Sequence, residues 1–308
     1  MPSGLKMRYL MIRILGVCLA CMLLPAVAIG EKLAEPAEAG GTNAWVFIDN
    51  GLLRLGVKKT SGASIGWLSL SGSKRNLINH FDHGRLVQQS YYGNPDGSKW
   101  AGKPWRWNPV QGGDWQGNAA KVLELNATAT TLDSKTMPRQ WAGGGSAADV
   151  VMEQRIVLTG RVARVTFTMR YNGAMAHRRA DHEVPAVFVE PDMATLVLYD
   201  GDKPWTGGAV SRSKPGWPNE KRKMTENWAA YVDDKDFGVG ALVPATTTLT
   251  CYSYKAGNSS CSYFAPLKNF AITPGIVFEY EVFLTVGTSS EIRETFRQLQ
   301  KPEKAELK

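Results

Sequence analysis

The chain is poor in the residues that build metal centres and thiol chemistry. Its 308 residues include four cysteines and four histidines. The histidines fall in two local pairs, His80 with His83 and His177 with His182. No Cys/His arrangement has the close spacing of a zinc site, so neither a metal nor another cofactor is expected. Past the N-terminal region, no apolar run approaches the ~20 residues of a membrane span. Internal repeats and linker-like stretches are also missing, and helical periodicity is nearly so.

What the N-terminal region holds is a leader. Lys6, Arg8 and Arg13 form a positive segment ahead of an apolar run interrupted only by Gly16 and Pro25. Ala26-Val27-Ala28 supplies the small-x-small pattern of a signal peptidase site. Residues 1–28 therefore read as a signal peptide cut after Ala28. Cys21 fits a lipid-anchoring motif poorly, because the apolar run continues past it. The mature protein is expected to be secreted or periplasmic, without a membrane span. Residues 29–43 read as a flexible segment, 44–300 as one folded domain and 301–308 (KPEKAELK) as a frayed tail.

Export changes the reading of the remaining cysteines. Cys18 and Cys21 leave with the leader, so Cys251 and Cys261 remain, flanking the turn-like Gly257-Asn258-Ser259-Ser260. In an oxidising compartment a disulfide stapling a hairpin is expected there; two free buried thiols are the alternative. Loss of the leader's three cations takes the formal charge from +8 to +5. The excess is mild and scattered, and nucleic acid is a poor partner for an exported chain. The one basic cluster, KPGWPNEKRK at 214–223, reads as a solvated loop.

The remaining pattern is overwhelmingly period two. Between 162 and 171, Val165, Phe167 and Met169 alternate with Arg164, Thr166, Thr168 and Arg170, giving one buried and one wet face. Comparable runs recur from residue 44 to residue 286. One helix is persuasive: Thr288-Ser289-Ser290-Glu291 is a capping box, followed by Ile292, Phe296 and Leu299 at helical spacing. The fold class is all-β, a large antiparallel β-sandwich with a short C-terminal helix packed against it.

Functional chemistry concentrates between Asp82 and Gly117. Four of the chain's ten Trp lie there, with Tyr91, Tyr92, Arg85, His83, Gln88, Gln89 and Asp114, among many Gly and Pro. Planar apolar faces beside hydrogen-bonding groups suit the C–H face and hydroxyls of a sugar ring. The plainer alternative is that these aromatics close a core beneath a long loop. His182 sits beside Asp181 and Glu183, and strand alternation would send it to the opposite face from both. His80 and His177 read as surface residues.

The order of these features resembles the galactose mutarotase-like superfamily. An early Arg85, a central His182 in RRADHEVPAVF and late acidic residues in FEYEVFLTV follow the order used by aldose epimerases. The resemblance implies a supersandwich fold and sugar chemistry. In one departure, WNPVQGGDW offers Asp114 where the epimerase pattern has a second His. The superfamily also includes polysaccharide-cleaving enzymes and sugar-recognition domains.

A glycosidase needs two carboxylates, and Asp114 with Glu183 are the candidates, with Glu190 behind them. A lyase acting on uronates would instead draw on Arg85, Gln88, Gln89, Tyr91 and His83. The sequence thus leads to the expectation of an exported enzyme cleaving glycosidic bonds of a poly- or oligosaccharide, with hydrolysis ahead of elimination. Its catalytic candidates are Asp114, Glu183, His182, His83 and Tyr91. Its sugar-binding candidates are Arg85, Gln88, Gln89, Tyr92, Trp105, Trp107 and Trp115. A non-catalytic glycan-binding module and a sugar epimerase are the alternatives.

Overall fold

The structure, a computed structural model, describes residues 44–300, which fall within one compact unit. The leader, the 29–43 segment and the tail expected from the sequence lie outside the described residues. Two antiparallel sheets dominate. The seven-stranded sheet runs, in spatial order, Arg139–Gln140, Pro109–Val110, Gln88–Ser90, His177–Val189, Cys261–Ile272, Thr248–Tyr254 and Glu220–Lys223. The nine-stranded sheet runs Ser211–Ser213, Thr195–Leu198, Trp228–Val232, Phe237–Leu242, Val277–Thr288, Val162–Tyr171, Val150–Thr159, Thr131–Met137 and Lys121–Ala127. A three-stranded sheet (Trp45–Asp49, Leu53–Lys58, Ser64–Leu70) and a separate hairpin (Pro95–Trp100, Lys103–Arg106) complete the β structure.

Alternation in the sequence becomes the layer between the sheets. Val165 and Phe167 of the nine-stranded sheet are fully buried in one core cluster with Val184, Val187, Leu249 and Phe264 of the seven-stranded sheet. On the wet face, Arg164 pairs with Glu281 of the adjacent strand. The late acidic strand therefore belongs to the nine-stranded sheet. Glu281 spends its charge on Arg164, and Glu279 accepts a hydrogen bond from Thr168.

The helix Ser289–Leu299 begins with the expected box: Thr288 accepts from the Glu291 N–H while the Glu291 carboxylate accepts from the Thr288 N–H at 2.8 Å. Ile292 and Phe296 are fully buried, worth roughly 1.5–3 kcal/mol each. They sit tightly on the sheet because its strand offers Gly240, where a Cβ would lie 2.4 Å from Ile292 Cγ2. Leu299 is 40% exposed and does not join them.

The expected disulfide is absent, and the strand register says why. Cys251 stands opposite Phe264, whereas Cys261 stands opposite Tyr254, three positions along the same antiparallel pair. An odd offset puts the two side chains on opposite faces. Three residues also separate them by roughly 10 Å along the strands, beyond the ~7 Å that a bridge can span. Cys251 joins the inter-sheet core, and Cys261 packs with Ala186, Phe188 and Tyr263 on the other side. Both are free thiols. Burial pushes the Cys251 thiol up to about 12 and that of Cys261 up to about 11.

Candidate functional site

The outer face of the seven-stranded sheet carries a cleft of about 420 Å3. Alternation decides which side chains reach it. Val87, Gln89 and Tyr91 turn inward. Val87 is a core residue, Gln89 donates to the Glu153 carbonyl at 3.0 Å, and the Tyr91 hydroxyl donates to Gln89 at 2.9 Å. Gln88, Ser90 and Tyr92 face outward and line the cleft. The neighbouring strand repeats the rule with Phe188 and Glu183, and a bulge between Glu183 and Val187 resets its phase.

Glu183 is the chemical centre of the floor. The Tyr92 hydroxyl donates to its Oε1 at 2.9 Å and the Tyr263 hydroxyl to the same oxygen at 2.5 Å. Burial pushes the Glu183 carboxyl above the usual range, and the bonds from Tyr263, Tyr92 and Ser90 pull only part of the way back. The same burial, together with the Glu183 charge, holds both tyrosines well above ordinary phenol values. The walls are aromatic. Trp100 contacts Trp105 edge-on at 4.8 Å and Trp141 at 5.8 Å on one side. Trp217, Tyr252 and Tyr254 form the other. Trp141 lies directly on Gly84, where a Cβ would come within 2.4 Å of its ring.

Arg85 lines the cleft, but its guanidinium is held by Asp82 at 3.3 Å and donates to the Ser259 carbonyl. Asp82 and Glu183 are the carboxylates among the lining residues. No group of three or more His, Cys, Asp or Glu among the described residues is arranged to hold a metal ion.

Arg85, Gln88, Tyr92, Trp105 and Glu183 thus meet in one cleft, whereas the other residues singled out in the sequence lie elsewhere. Asp114 is buried in a knot of its own: Arg139 Nε donates to it at 2.8 Å, Asn118 through both its backbone and side-chain amides, and the Gln116 N–H at 3.1 Å. Burial alone would raise its pKa, but the Asn118 and Arg139 bonds outweigh it and hold the group below the usual range. His182 is fully buried behind the sheet. Its Nδ1 accepts the Tyr92 N–H and its Nε2 donates to the Phe270 carbonyl, both at 3.1 Å. His83 bridges Ser61 and the Gly117 carbonyl. Trp107 stacks on His177 at 4.2 Å, and His177 is buried rather than on the surface. Trp115 is exposed away from the cleft. Glu190 and His80 line a second, separate pocket.

Sequence reasoning missed Trp100, Trp141, Trp217, Tyr252, Tyr254 and Tyr263. Trp217 comes from the segment read as a solvated loop, of which 220–223 form an edge strand. Tyr252 and Tyr263 look like ordinary strand aromatics, and only the pairing of their strands with His177–Val189 brings them beside Glu183.

No family model and no curated protein matches the sequence. Solved structures do match its shape. A galactose mutarotase-like protein from Lactobacillus casei aligns with a TM-score of 0.54 at 11% identity, covering 79% of this chain and 100% of that one. A galactose mutarotase related enzyme from Lactobacillus acidophilus aligns at 0.52 and 10% identity, over 80% and 98%. An aldose 1-epimerase candidate from Escherichia coli K12 aligns at 0.51 and 12%, over 79% and 99%. The chain has the galactose mutarotase-like fold.

That fold and the cleft geometry overturn the expectation of glycosidic-bond cleavage. These three matches are mutarotase-related and epimerase-like proteins rather than hydrolases or lyases. The second carboxylate assigned to hydrolysis, Asp114, is tied up outside the cleft by Arg139 and Asn118. Of the group assigned to elimination, His83, Gln89 and Tyr91 also lie outside it. Among the described residues, no helix is long and apolar enough to cross a membrane.

Proposed function

We propose that this chain is an exported sugar epimerase of the mutarotase type, interconverting the α and β anomers of a reducing sugar held over Glu183. The observation that carries the reading is Glu183 itself, a carboxylate on the floor of an aromatic-walled cleft, bonded by two tyrosine hydroxyls. Anomer exchange requires a proton to leave the anomeric hydroxyl while another reaches the ring oxygen. A carboxylate has about four acceptor positions, so Glu183 keeps capacity for a sugar hydroxyl beyond the bonds from Tyr92, Tyr263 and Ser90.

In this scheme Glu183 takes the proton from the anomeric O1–H as the bond from C1 to the ring oxygen breaks. Tyr92 gives its proton to the ring oxygen and recovers one from Glu183 along their hydrogen bond. The open-chain aldehyde turns about C1–C2, and reversal of the same steps closes the other anomer. Moving both protons together avoids a free phenolate, which matters because Tyr92 is held well above an ordinary phenol. The aromatic walls hold the ring's C–H faces and exclude water. The likeness in fold to proteins described as mutarotase-related supports the same class of reaction.

The test is polarimetry or NMR exchange on freshly dissolved single anomers of glucose, galactose, mannose and their short oligosaccharides. Acceleration over the buffer rate, lost in Glu183→Gln, is the expected result. Acceleration undiminished in that variant would remove Glu183 from the chemistry, and no acceleration for any sugar would end the epimerase reading.

A further inference from the structure

Past Glu183 the cleft continues as a strip of rings. Tyr263, whose hydroxyl bonds Glu183, lies 4.6 Å from Tyr252, and Tyr252 lies 4.9 Å from Trp217. Trp217 also contacts Tyr254 at 5.4 Å. The strip therefore leads, ring by ring, from the carboxylate to the rim. Trp217 at its end is 57% exposed although two tyrosines hold it in place. A large apolar face fixed in position at the mouth of a cleft marks a contact surface rather than core. A single pyranose seated over Glu183 would be served by Tyr92 and Tyr263, leaving the outer aromatics unused.

We propose that the cleft takes a neutral oligosaccharide by its reducing end, with the terminal ring over Glu183 and the next ring in the corner formed by Tyr252 and Trp217. The proposal rests on Glu183 marking the position of the reducing end. Trp217 stands perpendicular to Tyr252, their planes 89° apart, and the two make a corner of aromatic surface that the C–H groups of a second sugar ring can meet. The volume, about 420 Å3, lies within the ~300–1,000 Å3 of pockets that enclose ligands of drug size. Neutrality follows from the charges. Arg85 is the one cation among the lining residues, and Asp82 and the Ser259 carbonyl already engage it. With Arg85 and Asp82 paired, no free cation among the lining residues is left to hold an anionic sugar beside Glu183.

The experiment compares kcat/KM for anomer exchange of glucose with maltose, cellobiose and their trisaccharides, and of galactose and mannose with their β-1,4-linked disaccharides and trisaccharides. Binding is followed in parallel by tryptophan fluorescence with the same sugars. At least one oligosaccharide series should exceed its monosaccharide by about tenfold, the equivalent of ~1.4 kcal/mol of added contact. Trp217→Ala should lower that preference by a similar factor, and Trp217→Tyr, which retains a ring, should restore most of it. Because Trp217 lies at the rim, circular dichroism should show both variants folded. Equal kcat/KM for monosaccharides and oligosaccharides, or a preference untouched by Trp217→Ala, would overturn the proposal while leaving the epimerase reading intact. Tighter oligosaccharide binding without anomer exchange would uphold it, and reject the epimerase reading instead, if reducing the sugar's terminal aldehyde to the alcohol abolishes the binding; unchanged binding of the reduced sugar would overturn the reducing-end placement. A preference for uronate-containing oligosaccharides, added as a control, would overturn the neutral class.

Discussion

His182 and Glu183 are adjacent in sequence and lie on opposite faces of one strand. Glu183 enters the cleft, whereas His182 is sealed behind it, accepting the backbone N–H of Tyr92. The histidine thus steadies the residue whose hydroxyl bonds the carboxylate. Glu183→Gln should abolish anomer exchange, and His182→Gln should lower kcat less than about tenfold while reducing stability. Polarimetry and urea unfolding of the two variants separate the roles. Equal loss of activity in both would reject the division.

Acid should expose His182. Burial lowers its pKa from 6.5 to about 4, so folding favours the neutral ring. Its contribution is intact above the unfolded value and is lost as pH falls through the folded one. Between about pH 6.5 and pH 4 the unfolding free energy should drop by up to roughly 3 kcal/mol from this group. That component should be missing from His182→Gln in denaturant titrations across the range.

Glu183 titrates in the opposite sense. Its folded pKa is raised by burial, so its contribution to stability is present below the unfolded value and is lost as pH rises through the folded one. The melting temperature of Glu183→Gln should therefore gain on wild type between pH 4 and pH 8. In the proposed anomer exchange the carboxylate form accepts the proton, so the acid limb of the wild-type rate should lie above the ordinary glutamate range. A limb at or below that range would contradict the assignment.

The thiols should be silent in the native protein. Cys251 and Cys261 are buried and face away from each other. A thiol reagent should modify neither until denaturant is added, and reductant should leave the melting temperature unchanged. Cys251→Ser should cost about 1–3 kcal/mol by placing a hydroxyl in the apolar core.

Asp114 is expected to be structural. Asp114→Asn leaves Arg139 without its charge partner and removes acceptors from Asn118, and should cost about 3 kcal/mol of stability. Sugar binding in the cleft should persist at temperatures where the variant remains folded. Binding lost without loss of fold would place Asp114 back in the site.

The sheets were legible in the sequence because alternation is a local signal. Val165, Phe167 and Met169 announce their buried face without any knowledge of what packs on it. The same signal separated His182 from Glu183. The Thr288–Glu291 cap is equally local. The cleft was half legible: Arg85, Gln88, Tyr92, Trp105 and Glu183 carry polar or aromatic groups in a stretch that suggests a site. Its other half is built by strand order. Tyr252 and Tyr263 come from strands far along the chain, and Trp217 from a loop that resembles any charged surface segment. The disulfide expectation failed for the same reason, since a spacing of ten residues across a turn does not reveal which positions stand opposite.

The hairpin Pro95–Arg106 pairs with neither main sheet, yet it supplies Trp100 and Trp105 to the cleft wall. Glu183, Tyr92 and Tyr263, by contrast, belong to the seven-stranded sheet and the turn that follows it. Backbone bonds from Gly93 to Trp107 and from Tyr91 to Pro109 tie the base of the hairpin to the cleft floor, so only its tip, with Trp100, is free to change without disturbing Tyr92. Lengthening or shortening that tip would reshape the cleft wall at Trp100 while the floor at Glu183 stays as it is.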